Sequence, residues 1–239
     1  MSESPSRVVL ITGAGGGLGE VLVPEFSREQ WRVAAGFHRD PPKPANEATL
    51  NFQLDVTSAS SVAAGVEHVL AKFGRIDALI NNAGIVKDAG LWEMADDDWN
   101  RVLDVNLKGA FLCAREVSRA MIRQRAGHII NISSFSGRTG QRGQANYAAA
   151  KAGLFGLTTS LARELGSRNV RVNAILPGVL PTKMTTGLSA DELGRFAAAN
   201  ALGRINSLEE VARFTVFLAG TQNISGQLFQ LDSRIAPWT

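Results

Sequence analysis

Apolar positions along this chain switch repeatedly between two periods. "RVVLIT" (7–12) is a short β-rich run that stops at glycines, and "LGEVLVPEFSREQ" (18–30) follows with helical spacing. "WRVAAGF" (31–37) and "TLNFQLD" (49–55) predict strands, and "SSVAAGVEHVLAKFG" (60–74) predicts a helix closed by glycine. "IDALINNAG" (76–84) predicts a strand and a turn, and residues 96–125 predict one long helix. "HIINISS" (128–134), "VRVNAILPG" (170–178) and "GQLFQLD" (226–232) predict three more strands, with helices over 146–166 and 207–220 between them. Strands apolar on both faces, alternating with helices, predict a parallel sheet covered on each side. Right-handed crossovers make it a doubly wound α/β fold of the Rossmann type.

No change of composition marks a linker, so residues 7–239 read as one domain behind a loose tail at 1–6. Two features resist the pattern. Pro24 lies inside the first predicted helix and should bend it, because it removes a backbone donor. "RDPPKPANEA" (39–48) is too proline-rich for a helix, so this crossover reads as an extended loop.

Composition narrows the function classes. Hydrophobic residues are 45% and charged residues 20% of 239, and the net charge of +3 comes with no dense Lys/Arg stripe, which argues against nucleic acid as a partner. Cys113, in "AFLCA", is the single cysteine and reads as a small buried hydrophobe. The three histidines are scattered without metal-ligand spacing. No apolar run reaches the roughly 18 residues of a membrane span. "MSESPS" lacks the basic and apolar regions of a secretion signal, so a cytoplasmic location is the expectation.

"TGAGGGLG" (12–19) joins the first strand to the first helix. Its Gly13, Gly17 and Gly19 suit a tight turn whose backbone approaches a pyrophosphate at the helix N-terminus. Such turns also serve packing alone; the position after the first strand is what favours a dinucleotide. No Lys-Ser/Thr pair follows, which excludes a triphosphate P-loop. At the end of the second strand, "AGFHRD" puts Phe37 where an NAD site would carry an acid, with His38 and Arg39 next. That points to NADPH, with NADH as the other choice and a solvated loop charge as the bland reading of Arg39.

"YAAAK" (147–151) holds the single tyrosine and, one helical turn on, a lysine. Residues four apart share a helix face. An ammonium beside the phenol, together with the helix N-terminus, is expected to lower the tyrosine pKa and make it a usable general acid. The same spacing fits an ordinary surface helix, so context must decide. "INISS" puts Ser134 at the carboxyl edge of the sheet, where open α/β sheets bind ligands, and "NNAG" (81–84) ends at the same edge. "DVN" puts Asn106 inside the long helix, where a polar side chain can order water.

With these motifs in this order, joined by "LDV" at Asp55 and by "LPGVLPT" (176–182), the chain resembles the short-chain dehydrogenase/reductase family over residues 7–232. The resemblance implies an NAD(P)-dependent oxidoreductase with a tetrad. Ser134 would polarise the substrate oxygen and Tyr147 would exchange its proton. Lys151 would hold the nicotinamide ribose and depress the phenol pKa, and Asn106 would hold a water in a relay to Lys151. It implies further cofactor contacts: Leu18 in the glycine loop, Asp55 and Val56 at the adenine, and Asn82, Ala83 and Gly84 along the adenosine and ribose. Pro177, Gly178 and Thr182 would hold the nicotinamide end. No metal is implied.

Within that family, "GQANYAAAKAGL", "LAREL" and "GLSADELGRFAAANALGR" look most like the 3-oxoacyl-acyl-carrier-protein reductases of fatty acid biosynthesis. That likeness implies NADPH reduction of a carrier-bound 3-oxoacyl thioester, a lid over about 184–206, and a homotetramer built partly from the helices bearing Asn106 and Tyr147. Acyl-carrier protein is acidic, so docking calls for cations near the pocket mouth. Arg125 and Arg168 match the docking pair, and Arg119 and Arg123 would extend it; all four also read as solvated helix-end charges. Leu154, Leu157, Leu161 and Leu165 share helical spacing and face either a subunit interface or the chain's own core. Two other readings stay open: a reductase of a small free ketone, sugar or cyclic secondary alcohol, and a non-catalytic NADP-binding regulator. The chain departs from the family in its proline-rich loop at 41–44 and in its ending, "DSRIAPWT", where relatives carry a glycine pair. "IAPW" packs over a neighbouring pocket or is a loose end.

Overall fold

Alternate residues of a strand face opposite ways, and this chain puts aliphatic side chains on both faces. Val8 and Leu10 join one core, Val9 and Ile11 the other. The computed structural model describes residues 6–182 and 185–235. The strands are β1 Val8–Thr12, β2 Arg32–Phe37, β3 Thr49–Gln53, β4 Ala78–Asn81, β5 Gly127–Ile132, β6 Val170–Leu176 and β7 Leu228–Gln230. They form one sheet in the order β3-β2-β1-β4-β5-β6-β7, every pairing parallel. The helices are α1 Leu18–Arg28, α2 Ala59–Phe73, α3 Asp96–Leu103, α4 Gly109–Gln124, α5 Ser136–Thr139, α6 Ala145–Leu165, α7 Ala190–Ala198 and α8 Leu208–Gly220. α1 and α8 pack on one face and α2, α4 and α6 on the other. The order in which strands are added reverses between β1 and β4, which opens a crevice at their carboxyl ends.

α1 runs through Pro24 and does not end there, with Leu22, Val23 and Phe26 buried around it. Residues 41–48 hold no helix, as the prolines predict. The long helix predicted over 96–125 differs: α3 and α4 are joined by a π-turn, Asp104–Lys108, which inserts one residue per turn at Asn106. Of the four leucines of α6, Leu154 and Leu165 are buried, Leu161 packs on the core that holds Leu165, and Leu157 is half-exposed. Cys113 is buried, and burial pushes its thiol up to about 12. Of the segment expected to be a lid, 184 lies outside the described residues; the rest carries α7, started by a capping box between Ser189 and Glu192. The N-terminal tail and "IAPW" fall mainly on 1–5 and 236–239, also outside them.

Buried amides tie the sheet to α6. Asn81 Nδ2 donates to Asn131 Oδ1 at 2.9 Å, and Asn131 Nδ2 donates to Thr158 Oγ1 at 2.9 Å. Most polar groups so deep are paired, although Asn81 Oδ1 has no partner among the described residues, and this chain of bonds fixes how far α6 can slide along β5. On the same strand His128 is buried, with Nε2 facing Asn173 Nδ2 at 2.8 Å. Burial, helped by the Arg171 charge, lowers its pKa from 6.5 to about 3. The unfolded chain therefore binds a proton between these values that the folded chain refuses. This contribution to folding is fully present above pH 6.5 and is lost as pH falls toward 3, by an amount on the order of 5 kcal/mol. Denaturant melts across that window check this; His128→Gln should flatten the slope, and an equally steep loss in the variant would rule out His128 as its source.

Candidate active site

Four loops at the carboxyl ends of β1, β4, β5 and β6 enclose a cavity of about 410 Å³. The first follows β1. Gly13 has φ 63°, and a Cβ there would lie 2.7 Å from Ala83 Cα, so only glycine lets the two loops meet. α1 then starts with no side chain capping its first turn, which leaves an N-terminus suited to an anion. Gly17 and Leu18 line the cavity, and Gly17 lies against the Thr182 side chain. Gly19 packs behind the loop against Gly13 O and Ala14.

The loop after β4 is sewn to β1. Asn82 Nδ2 donates to Thr12 O and Gly13 O, each at 3.0 Å, while the amides of Asn82 and Ala83 share Thr12 Oγ1. Asn82, Ala83 and Gly84 still line the cavity. Beyond them Asn106 clamps Ile85: its Oδ1 accepts from Ile85 N at 2.8 Å and its Nδ2 donates to Ile85 O at 2.9 Å. This uses one lone pair and one N–H of the amide, which has a second of each for a water. A Cβ on Gly84 would lie 3.5 Å from Asn106 Oδ1 and 3.6 Å from Lys151 Nζ, so one small space beside Gly84 borders both groups.

Ser134 follows β5 by two residues, and its Oγ accepts the Ser136 amide at 3.1 Å. Ser133, buried next to it, donates to Lys151 O at 2.8 Å and holds α6 in place. Tyr147 stands in the first turn of α6, and Lys151 lies one turn on, buried, with Nζ 5.6 Å from the Tyr147 ring. Asn146 braces this end of the helix, donating to Lys87 O at 3.0 Å and accepting the Tyr147 amide at 2.7 Å. Lys151 Nζ donates to Ile132 O at 2.8 Å. Burial lowers the lysine to about 8. The tyrosine moves the other way from the expectation. Burial raises its pKa, a Ser134 hydrogen bond pulls it partly back, and the Asp88 carboxylate raises it further. Desolvation of the phenolate outweighs any help from the lysine, so the phenol keeps its proton at neutral pH.

Ser134, Tyr147 and Lys151 thus converge on one cavity with Pro177, Gly178 and Thr182 from the loop after β6. A model of the short chain dehydrogenase family matches residues 7–193. The chain belongs to the short chain dehydrogenase family. Its relatives include the 3-oxoacyl-[acyl-carrier-protein] reductase of Thermotoga maritima, 40% identical over 95% of this chain and 96% of the relative. That of a Synechocystis strain is 39% identical over 97% and 98%, and that of Escherichia coli 38% over 90% and 91%. As a short chain dehydrogenase the protein is an NAD(P)-dependent oxidoreductase acting on carbonyl and hydroxyl groups.

Other candidate residues lie outside this dehydrogenase cavity. His38 and Arg39 are exposed after β2, beside Asp40, whose carbonyl sits so close to Gly15 that a Cβ there would overlap it. Asp55 accepts from Thr57 N and Oγ1, and the Thr57 hydroxyl chiefly lowers its pKa, with His38 adding charge. Val56 is buried against Gly109. Arg125 and Arg168 do share a surface, since Asn169 Nδ2 donates to Arg125 O at 2.9 Å. Both precede strands, β5 and β6, so they sit at the amino edge of the sheet. Their expected place at the pocket mouth fails within one chain, because α6 separates Tyr147 from Arg168 by about 30 Å at 1.5 Å per residue. Arg119 pairs with Glu116 at 3.1 Å, and Arg123 is exposed. Sequence reasoning missed Asp88 and Gln144, which bond each other at 3.0 Å on the cavity wall, and Arg234, which lines it from the chain's end. Among the described residues no cluster of three metal-ligating side chains occurs, and no helix is long and apolar enough to cross a membrane.

Proposed function

We propose that the protein reduces 3-oxoacyl thioesters of acyl-carrier protein to the 3-hydroxyacyl form with NADPH, Tyr147 acting as general acid. The carrying observation is the meeting of Ser134, Tyr147 and Lys151 in a cavity beside an uncapped α1 N-terminus. Likeness to carrier-protein reductases along nearly the whole chain supplies the substrate class. The dinucleotide fits these residues. Gly13, Gly17, Leu18 and the first turn of α1, backed by Gly19, would hold the pyrophosphate. Asn82, Ala83 and Gly84 would line the adenosine and ribose, and Asp55 and Val56 the adenine. Pro177, Gly178 and Thr182 would hold the nicotinamide end, and His38 and Arg39 the 2′-phosphate. When bound, the cofactor supplies the hydride that the carbonyl carbon receives.

The chain's own groups handle the oxygen. Ser134 donates to it and keeps it within reach of Tyr147, which gives up its proton as charge develops there. A phenol whose pKa is raised is the acid form, and that suits reduction over oxidation at neutral pH. Lys151, charged below about pH 8, holds the ribose and steadies the phenolate that results. The space beside Gly84, bordered by Asn106 and Lys151, is where a relay to the lysine would run.

A homotetramer accounts for the exposed apolar side chains Phe111 on α4, Phe217 on α8 and Leu228 on the open edge of β7. It also gives the arginines a role. If α6 packs on its two-fold copy, the two helices run antiparallel, and the Arg168 end of one approaches the Tyr147 end of the other. Arg125 and Arg168 would then dock carrier protein for the neighbouring pocket. The double reversal Arg125→Glu, Arg168→Glu should raise KM for the acyl-carrier substrate and leave KM for a small diketone unchanged; an unchanged KM for both removes the docking role. The activity itself is tested by oxidation of NADPH, and of NADH, with an acetoacetyl thioester and with small ketones. The thioester with NADPH should give the highest kcat/KM. Turnover of free ketones alone, or equal use of the two cofactors, would overturn the substrate or the cofactor assignment respectively.

A further inference from the structure

The segment after β7 reaches the cavity at Arg234. After β7, Gln230 Nε2 donates to Asp232 Oδ1 at 2.8 Å and to Arg234 O at 2.7 Å, which folds the segment back. Ser233 ties it to the end of α7: its amide donates to Asn200 Oδ1 at 3.1 Å and its Oγ accepts from Leu202 N at 3.1 Å. Asp232 lies against Gly178, and Arg234 lines the cavity with Phe135, Leu188 and Phe196. The guanidinium lies 3.7 Å from the centre of the Phe135 ring, next in sequence to Ser134. Nε donates to Asp232 Oδ2 at 2.6 Å, and Nη2 pairs with the same oxygen. The two side chains are only 10% and 2% exposed. Among the described residues nothing accepts from Nη1.

Burying an ion pair costs desolvation that its mutual attraction barely offsets, so such a pair adds little to stability by itself. Stacked on an aromatic ring and held at Nε and Nη2 by one carboxylate oxygen, the guanidinium keeps its remaining edge in a fixed position for recognition. We infer that Arg234 is a specificity-determining residue, which uses Nη1 to bind a carbonyl oxygen that the substrate carries beyond its reacting ketone. This rests on the carbonyl reduction proposed above. Asp232 already balances the arginine's charge, so the pair suits a neutral acceptor and not a carboxylate. A 3-oxoacyl thioester offers two such oxygens, the thioester carbonyl and the amide of the carrier's pantetheine arm. A simple monoketone offers neither.

The test compares wild type with Arg234→Met, which keeps length and apolar contact with Phe135 but removes the donor. Three substrates serve: the N-acetylcysteamine thioester of acetoacetate, its S-ethyl thioester, and 2-pentanone. A hydrogen bond to a charged donor corresponds to about 10- to 100-fold. Arg234→Met should lose about that factor in kcat/KM for thioester, mainly through KM, and keep the wild-type value for 2-pentanone. Loss on both thioesters assigns the thioester carbonyl; loss on the N-acetylcysteamine ester alone assigns the arm amide. Equal loss on all three substrates, or none on any, overturns the inference, the first meaning that Arg234 only holds the fold. Should wild type reduce 2-pentanone but no thioester, the proposed substrate fails. Arg234 is then judged on 4-acetamido-2-butanone, a free ketone bearing an amide, where an unchanged kcat/KM in Arg234→Met overturns its role.

Discussion

Tyr147→Phe should lower kcat for carbonyl reduction by a factor of about 10² to 10⁴, the usual contribution of a positioned acid. The substitution removes one hydroxyl and leaves the ring beside Lys151 Nζ. Nothing in the packing of α6 depends on that hydroxyl, because Asn146, Ser133 and the Asn131–Thr158 bond hold the helix. Dinucleotide affinity, read by fluorescence titration, and thermal stability should therefore stay near wild type while turnover collapses. This combination separates loss of an acid from loss of a shape. Ser134 and Tyr147 are assigned to the same substrate oxygen, so Ser134→Ala added to Tyr147→Phe should cost less than the product of the two single effects. A Tyr147→Phe enzyme with near-normal kcat would remove the phenol from the mechanism and with it the role assigned to Ser134.

The sheet was legible because each strand carries aliphatic side chains on both faces, and only a strand covered on both sides tolerates that. Val8 to Ile11 show it, feeding two separate cores. The glycine loop and "YAAAK" were legible because chemistry there demands residue types at fixed spacing. What sequence could not show was direction and depth. The π-turn at Asn106 changes no composition; it is one residue too many in a helical ladder, and only the resulting clamp on Ile85 reveals it. The raised tyrosine pKa depends on how much water the cavity excludes, which no helical spacing encodes. Likeness to the docking pair of carrier-protein reductases puts Arg125 and Arg168 at the pocket mouth, yet a parallel sheet sends the residues before its strands to the far edge. Arg234 was passed over as part of an ending that merely differed from the family.

Lys151 should set the alkaline limb of the pH profile. Burial lowers its pKa to about 8, with Ile132 O accepting one of its protons. The ammonium is the form present below that value, so kcat/KM for reduction, which reports the free enzyme, should be level below about pH 7 and fall as pH rises through 8. Tyr147 cannot cause this limb, since its own pKa lies above the ordinary value of 10. Lys151→Arg keeps a charge at every accessible pH and should move the fall to higher pH, although its broader head will lower the plateau. Lys151→Met should abolish the limb and lower kcat/KM by about 10² to 10³, the scale of removing one fixed electrostatic partner from a buried site. A limb still centred near 8 in Lys151→Met would assign the titration to another group, and it would leave the lysine as a strut that carries α6 to Ile132 and no charge to the reaction.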